Sequence, residues 1–133
     1  MKKTDYTVML DTSMWVALLR RKGDESAKRL SVDLVNSGKA SWCDVIRLEL
    51  WRGVSSDTDR LQLSHLETIV PTVPIDEPVW ERSRKLADKA RKMGFQFPLP
   101  DLIIYSCAIR HGMKLEARDK HYERMESIAR EVK

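Results

Sequence analysis

Short hydrophobic runs alternate with longer amphipathic stretches along the chain. Residues 6–10, 40–43 and 113–117 are short apolar runs that end abruptly at polar or charged residues, and they predict three buried strands. Between these runs, apolar residues recur at helical spacing. The spacing predicts helices over 14–21, 24–36, 44–52, 57–66, 77–93 and 101–112, and a short helical tail from Tyr122 onward.

Local signals set the expected ends of these elements. Ser13 is the predicted cap of the first helix, and Asp101 after Pro100 is the expected start of the helix that precedes the last strand. Gly53 ends the third helix. Residues 68–73 are expected to be extended, and Pro71 indicates an edge position, because proline cannot donate to a sheet.

The alternation of strands and helices predicts an α/β fold. We expect one domain over residues 1–133, built as a Rossmann-like three-layer sandwich with a short, mostly parallel sheet flanked by helices. Sheets of this kind bind ligands beyond the carboxyl ends of their strands. The candidate chemistry should therefore lie where the predicted strands end.

Composition narrows the class of protein. The net charge of +4 is compatible with a polyanionic partner. No apolar run approaches the roughly 18 residues of a membrane span, and the basic residues at positions 1–5 precede too short a hydrophobic run for a signal peptide. Cys43 and Cys107 lack a CxxC spacing, which predicts reduced core thiols in a cytoplasmic protein, and no histidine pairs with them as in a zinc site.

Four acids occupy positions that suggest a shared site. Asp11 ends the first strand, Asp119 follows the last, Asp101 begins a helix, and Glu49 lies inside the third helix beside apolar neighbours. Each has a structural alternative: a helix cap for Asp101, a turn for Asp119, a local backbone hydrogen bond for Asp11, and an exposed helix edge for Glu49.

If the four acids meet, their chemistry is restricted. Neighbouring carboxylates repel and stay ionised together only around a cation. Ligand sets made of oxygen alone favour hard ions such as Mg²⁺ or Mn²⁺. A divalent ion of this kind activates water and neutralises charge during phosphodiester hydrolysis.

The acids also lie in four motifs that, in this order, resemble the PIN-domain ribonucleases, specifically VapC-type toxins. The motifs are a hydrophobic strand with Asp11-Thr12-Ser13, the helix Leu48-Glu49-Leu50 to Gly53, the run Pro100-Asp101-Leu102 to Gly112, and the closing Asp119-Lys120-His121-Tyr122. The resemblance covers nearly the whole chain. Two positions depart from the family pattern: Ala117, where threonine is frequent, and Tyr122, where phenylalanine is usual.

The resemblance implies a metal-dependent endoribonuclease that is the toxin of a toxin–antitoxin pair. It implies Asp11, Asp101 and Asp119 as Mg²⁺ or Mn²⁺ ligands, Glu49 as a ligand directly or through water, and Ser13 as a hydrogen-bond support for Asp11. It also implies an RNA substrate, a homodimer, and a cognate antitoxin that covers the acidic cavity.

The sequence excludes some other classes of enzyme and leaves one other function open. A haloacid-dehalogenase phosphatase needs a second aspartate where Ser13 stands, and neither a P-loop nor a dinucleotide fingerprint occurs. A non-catalytic RNA-binding or scaffold PIN domain stays open, although such domains generally lose one or more of the acids. The basic run Arg20-Arg21-Lys22 is either a phosphate contact or a solvated helix end, and Trp15, Trp51 and Trp80 are expected to pack in the core or an interface.

Overall fold

Three parallel strands form the sheet in the computed structural model, which describes residues 6–130. They are β1 (Val8–Leu10), β2 (Ala40–Ser41) and β3 (Lys114–Glu116), in the order β2-β1-β3. In the register of the sheet, Val8 of the central strand pairs with both Ala40 and Lys114. All three predicted strands are present, each shorter than its hydrophobic run. The prediction drawn from positions 1–5 falls outside the described residues.

Helices connect the strands and cover the sheet. The chain runs from the central strand β1 to the edge strand β2, and then crosses back over β1 to the other edge strand, β3. Connections between parallel strands are almost always right-handed. Two right-handed connections that run in opposite directions place their helices on opposite faces of the sheet. This arrangement confirms the predicted three-layer α/β fold. Between residues 6 and 130 the helices are α1 (Thr12–Leu19), α2 (Glu25–Asn36), α3 (Asp44–Gly53), α4 (Asp57–Ile69), α5 (Glu77–Lys92), α6 (Leu99–Arg110) and α7 (His121–Ala129).

Two tryptophans lie at the centre of the core. The rings of Trp15 and Trp42 are 4.8 Å apart, and neither has exposed surface. The Trp15 indole donates to the carbonyl of Leu10 at 2.8 Å, so its polar group is satisfied inside the core. The predicted packing role of Trp15 is confirmed. Trp51 is partly buried, and Trp80 is 41% exposed.

Three predicted boundaries were wrong. Asp11, not Ser13, caps α1, because its carboxylate accepts from the Met14 amide. The helix α6 begins at Leu99, so Asp101 lies within its first turn and is not the cap. Extended chain starts at Val70, since α4 continues to Ile69. The edge position of this segment is confirmed by a parallel bridge between Thr72 and Trp42.

The two cysteines are buried and unpaired by a disulfide, as predicted. They are not isolated from each other, however, because a hydrogen bond between the thiols lowers the pKa of Cys43 and raises the pKa of Cys107. Within residues 6–130, no helix combines the length and the apolar character that crossing a membrane requires.

Candidate metal centre

Asp11 and Asp119 meet at the carboxyl edge of the sheet. Asp11 follows β1 directly and donates its amide to the carbonyl of Glu116, the last residue of β3, at 3.0 Å. Asp119 comes three positions after Glu116. The parallel pairing of β1 and β3 therefore brings together two acids that are far apart in sequence. This agrees with the prediction that both acids follow the carboxyl ends of strands.

The carboxylate of Asp11 is almost fully buried, with 3% exposure. Its Oδ1 accepts from the Ser13 hydroxyl and, at 3.3 Å, from the Met14 amide. The pKa of Asp11 is raised to about 6, mainly by burial and in part by the charge of Asp119, against the lowering effect of these two hydrogen bonds. Within the described chain both hydrogen bonds fall on Oδ1, so Oδ2 is left to bind another ligand.

Ser13 links Asp11 to the segment after β3. Its hydroxyl donates to Asp11 and accepts from the amide of Arg118 at 3.0 Å. The Ser13 side chain therefore links the carboxylate of Asp11 to the backbone next to Asp119. The predicted contact between Ser13 and Asp11 is present. In metal sites, hydrogen bonds of this kind fix the orientation of the ligand side chains.

Asp101 projects from the first turn of α6 towards α7. Its Oδ2 lies 2.9 Å from Nδ1 of His121, and its Oδ1 accepts from the Tyr122 hydroxyl at 3.4 Å. Burial raises the pKa of Asp101; the hydrogen bond to His121 lowers it, and the charge of Asp119 raises it again. The neighbouring carboxylate of Asp119 therefore disfavours the ionised form of Asp101.

Asp119 is held by the start of α7. Its Oδ1 accepts from the His121 amide at 2.9 Å and lies 3.2 Å from Nδ1 of the same residue. The turn predicted as a structural alternative is thus present, and the carboxylate belongs to the cluster as well. Its side chain is 35% exposed, so the cluster opens to solvent on this side.

Glu49 approaches the cluster from α3. Its Oε1 accepts from the hydroxyl of Thr12, the residue after Asp11, at 2.5 Å. The expected apolar surroundings are partly wrong, because Leu48 is 70% exposed and Glu49 itself is only partly buried. A hydroxyl on α1, not an apolar neighbour, is what fixes the position of Glu49.

The phenol of Tyr122 lies within the electrostatic influence of all four acids. Burial raises the pKa of Tyr122, and the charges of all four carboxylates raise it further: those of Asp11, Asp101, Asp119 and Glu49. An ionised phenol would add a fifth negative charge to this region. The convergence of all four acids on one cavity stays a prediction; between residues 6 and 130, the acids that bring ligand atoms to within 4.8 Å of one another are Asp101 and Asp119, together with His121.

His121 is a site residue that the sequence motifs did not assign. Within residues 6–130, Asp101, Asp119 and His121 bring one potential ligand atom each to within 4.8 Å of one another. The hydrogen bond to Asp101 raises the pKa of His121, and Asp119 adds to this effect. The signal was present in the sequence, since His121 lies two positions after Asp119 in the closing motif.

These donors fit a hard divalent cation. Asp11, Asp101 and Asp119 supply carboxylate oxygens, and at least Asp11 keeps an oxygen that makes no hydrogen bond among the described residues. Burial and mutual repulsion both disfavour several ionised carboxylates in one small volume. A divalent cation bound among these carboxylates offsets their repulsion. Carboxylate oxygens are the donors that suit Mg²⁺ and Mn²⁺.

Comparison with known proteins identifies chains of similar sequence. The family model of the PIN domain matches residues 8–128. The VapC ribonuclease Mb1587 of Mycobacterium bovis is 26% identical over 121 residues, which cover 87% of this chain and 89% of that protein.

Solved structures share the fold. VapBC2 from Rickettsia felis, bound to a DNA fragment from its promoter, matches with a TM-score of 0.75 at 19% identity, over 88% of this chain and 91% of that one. VapBC-5 from Mycobacterium tuberculosis, a member of the VapBC family of toxin–antitoxin systems, matches with a TM-score of 0.62 at 18% identity, over 90% of this chain and 91% of that one.

Proposed function

We propose, from the premise that this chain belongs to the PIN domain family, that it is a metal-dependent endoribonuclease and the toxin of a toxin–antitoxin pair. The observation that carries this proposal is the cluster at the carboxyl edge of the sheet, where Asp101, Asp119 and His121 bring potential ligand atoms to within 4.8 Å of one another and Asp11 follows the adjacent strand. The similarity to a VapC ribonuclease over 87% of the chain supports the same function.

The proposed ligands of Mg²⁺ or Mn²⁺ are Asp11, Asp101 and Asp119, with Glu49 bound directly or through water. A divalent ion bound there lowers the pKa of a water molecule and neutralises charge on the phosphodiester. Each carboxylate has its own support in the protein. Ser13 and the Met14 amide hold Asp11, and Thr12 holds Glu49.

His121 and Tyr122 support the other side of the site. The imidazole lies between the carboxylates of Asp101 and Asp119, and the phenol donates to Asp101. The raised pKa of His121 favours its protonated form, which donates Nδ1–H to these acids and limits their rotation. In the proposed reaction, these residues orient the ligands and Tyr122 fills the space behind them.

The proposed partners are an RNA substrate, a cognate antitoxin and a second copy of the chain in a homodimer. The antitoxin is supported by the fold shared with VapBC-5, which belongs to a family of toxin–antitoxin systems. We expect a basic residue of the antitoxin to pair with the carboxylates. Trp15 has no exposed surface and Trp51 is partly buried, so of these two tryptophans only Trp51 can contribute to the surface that the antitoxin covers.

Cleavage of RNA in the presence and absence of chelator tests the proposed function. The purified chain is incubated with total RNA and Mn²⁺, with or without EDTA. We expect internal cleavage that EDTA abolishes and that added Mn²⁺ restores. RNA that binds but stays intact with Mn²⁺ and with Mg²⁺ would instead favour the non-catalytic RNA-binding or scaffold domain.

A further inference from the structure

The buried thiols of Cys43 and Cys107 meet beside the extended segment that follows α4. Neither cysteine has exposed surface. The Val73 amide donates to the carbonyl of Trp42, the residue before Cys43, at 2.7 Å. Sγ of Cys107 lies 3.6 Å from the carbonyl oxygen of Pro74, the residue after Val73. One short segment therefore contacts both the backbone that leads into α3 and a side chain of α6, and the two thiols are hydrogen-bonded to each other beside it.

The two thiols differ in how readily they lose a proton. Cys43 stands at the N-terminal end of α3, where the first amides of the helix have no partner within it. The hydrogen bond from Cys107 lowers the pKa of Cys43, against the raising effect of burial, and the amides of Ile46 and Val45 also lower it. The same contact and burial raise the pKa of Cys107. Cys43 is therefore the thiol that ionises first, and Cys107 keeps its proton beside it.

The cover over the thiols is thin on the side of Pro74. Pro74 is exposed, and its carbonyl oxygen lies 2.8 Å from Nε2 of His111, which is partly buried one helical turn after Cys107. Residues 71–76 connect α4 to α5 and form an isolated bridge with Trp42 but no strand of the sheet. Segments attached in this way open more readily than helices packed in the core, so a small neutral oxidant can reach the thiols.

We propose that Cys43 and Cys107 form a peroxide-sensitive dithiol site that closes to an intramolecular disulfide. The Cys43 thiolate attacks one oxygen of hydrogen peroxide, the O–O bond breaks, and the hydroxide that leaves takes up the proton that Cys43 has lost. The Cys107 sulfur then attacks the sulfenic sulfur of Cys43, and the sulfenic hydroxyl group leaves with the Cys107 proton as water. Two thiols are thereby oxidised to one disulfide, and one peroxide is reduced to two waters.

The disulfide joins two elements that carry acids of the candidate metal centre. Cys43 immediately precedes α3, which carries Glu49, and Cys107 lies in α6, whose first turn carries Asp101. A bond between the cysteines closes a long loop of the unfolded chain and so restricts the unfolded state. We expect the oxidised protein to melt higher than the reduced protein, by on the order of 10 °C. The dithiol site is separate from the carboxylates, so it does not rest on the proposed ribonuclease function.

Intact mass after peroxide treatment tests the dithiol site. The folded full chain, reduced and in EDTA, is treated with increasing hydrogen peroxide and is then denatured and alkylated with N-ethylmaleimide in one step. The wild type should lose about 2 Da and both alkylation sites, because two hydrogen atoms leave as the disulfide forms. A phosphine reductant should restore both sites and the lower melting temperature. A peptide map should show a crosslink between Cys43 and Cys107 within a single chain.

Single substitutions separate the roles of the two thiols. Cys107→Ala should stop at the sulfenic acid of Cys43, which dimedone traps as a stable adduct. Cys43→Ala should keep Cys107 as a free thiol at the same peroxide concentration, and neither variant should gain stability from peroxide. Alanine brings no polar atom into the core, so both variants are expected to fold. A dimedone adduct at Cys107 in Cys43→Ala would overturn the assignment of Cys43 as the attacking thiol.

Two results would overturn the dithiol site itself. One is a folded wild-type chain that keeps both alkylation sites at peroxide concentrations that already oxidise its methionines. The other is a crosslink that joins separate chains. Both results come from the wild type alone, so they are decisive even where an alanine variant fails to fold. Neither measurement involves RNA, so a failure here leaves the proposed ribonuclease function unaffected.

Discussion

Individual side chains at this site have a structural role beside the chemical role that we propose for them. Asp11 caps α1 through Oδ1, and Asp119 closes the turn before α7, yet both carboxylates belong to the same cluster. Asp101 differs from them, because it caps no helix and its contacts are with His121 and Tyr122. A substitution at Asp101 can therefore remove a charge from the site without removing a helix cap, so its effect on activity can be separated from an effect on folding.

We expect Asp101→Asn to lose at least about 100-fold in RNA cleavage, because changing even the groups around metal ligands commonly costs 10–100-fold. The fold should survive. Burial and Asp119 raise the pKa of Asp101, so its charge is unfavourable without metal, and a neutral side chain should give an equal or higher melting temperature in EDTA. Cleavage with Mn²⁺ and thermal melting in EDTA are measured together.

Asp33→Asn is the matched control for this substitution, since Asp33 is exposed on α2, away from the site. It should leave cleavage unchanged. Full cleavage by a folded Asp101→Asn would show that Asp101 is not a ligand. A large drop in its melting temperature would show that Asp101 is structural, and the assignment of the site would have to change.

Among the elements, α4 is attached to α3 by side-chain hydrogen bonds and by apolar packing. Glu67 accepts hydrogen bonds from Arg47 at 2.7 Å and from the indole of Trp51 at 3.0 Å. The indole and Arg47 lower the pKa of Glu67, against the effect of its burial. The remaining attachment is apolar and comes from the inner face of the helix, where Leu63 has no exposed surface.

Two leucines of α4 offer a matched test of this packing. Leu63→Ala should lower the free energy of unfolding by about 2–5 kcal/mol, because it leaves a cavity in the core. Leu61 is 73% exposed, so Leu61→Ala should change it by no more than about 0.5 kcal/mol. Urea denaturation of both variants measures the difference. If both substitutions lowered the free energy of unfolding equally, the orientation of α4, with Leu63 inside and Leu61 exposed, would be wrong.

At the scale of the whole molecule, the sheet concentrates negative charge at one edge. Three of the four carboxylates come from the ends of β1 and β3 or from the helix before β3, and Glu49 joins them from α3. Without metal, this arrangement opposes folding, since the acids are further apart and more fully hydrated in the unfolded chain.

The stability of the metal-free protein should therefore depend on pH through Asp11. Its pKa rises from 3.8 to about 6 on folding, so the folded state holds this proton more tightly. The resulting stabilisation is complete below pH 3.8 and is lost as pH rises through about 6. A shift of this size corresponds to about 3 kcal/mol.

Asp11→Asn isolates this contribution, because asparagine does not titrate and its side-chain oxygen can still accept from Ser13 and from the Met14 amide. In EDTA, the variant should become progressively more stable than the wild type between about pH 4 and pH 6, with a constant advantage above. Melting temperatures of both proteins across this range give the comparison. A difference that does not vary with pH would mean that the charge of Asp11 does not destabilise the fold.

Much of the fold, and the position of Asp11 and Asp119 at a common edge of the sheet, could be predicted from the sequence alone. Strands and helices follow from the spacing of apolar residues, which is a local property of the chain. Asp11 and Asp119 could be placed because parallel strands end at a common edge. The PIN domain itself followed from four motifs in order, and the match over residues 8–128 confirms it.

Only the tertiary structure decided how the side chains pair across the fold. The cap of α1 is Asp11 and not Ser13, because the Ser13 hydroxyl is bound to Asp11 and to the Arg118 amide, 105 positions away. Glu49 depends on Thr12 in the same way, and His121 enters the site because α7 packs beside the first turn of α6. Such contacts join segments that are distant in sequence, so their geometry follows from the packing of helices on the sheet and cannot be derived from the local spacing of residues.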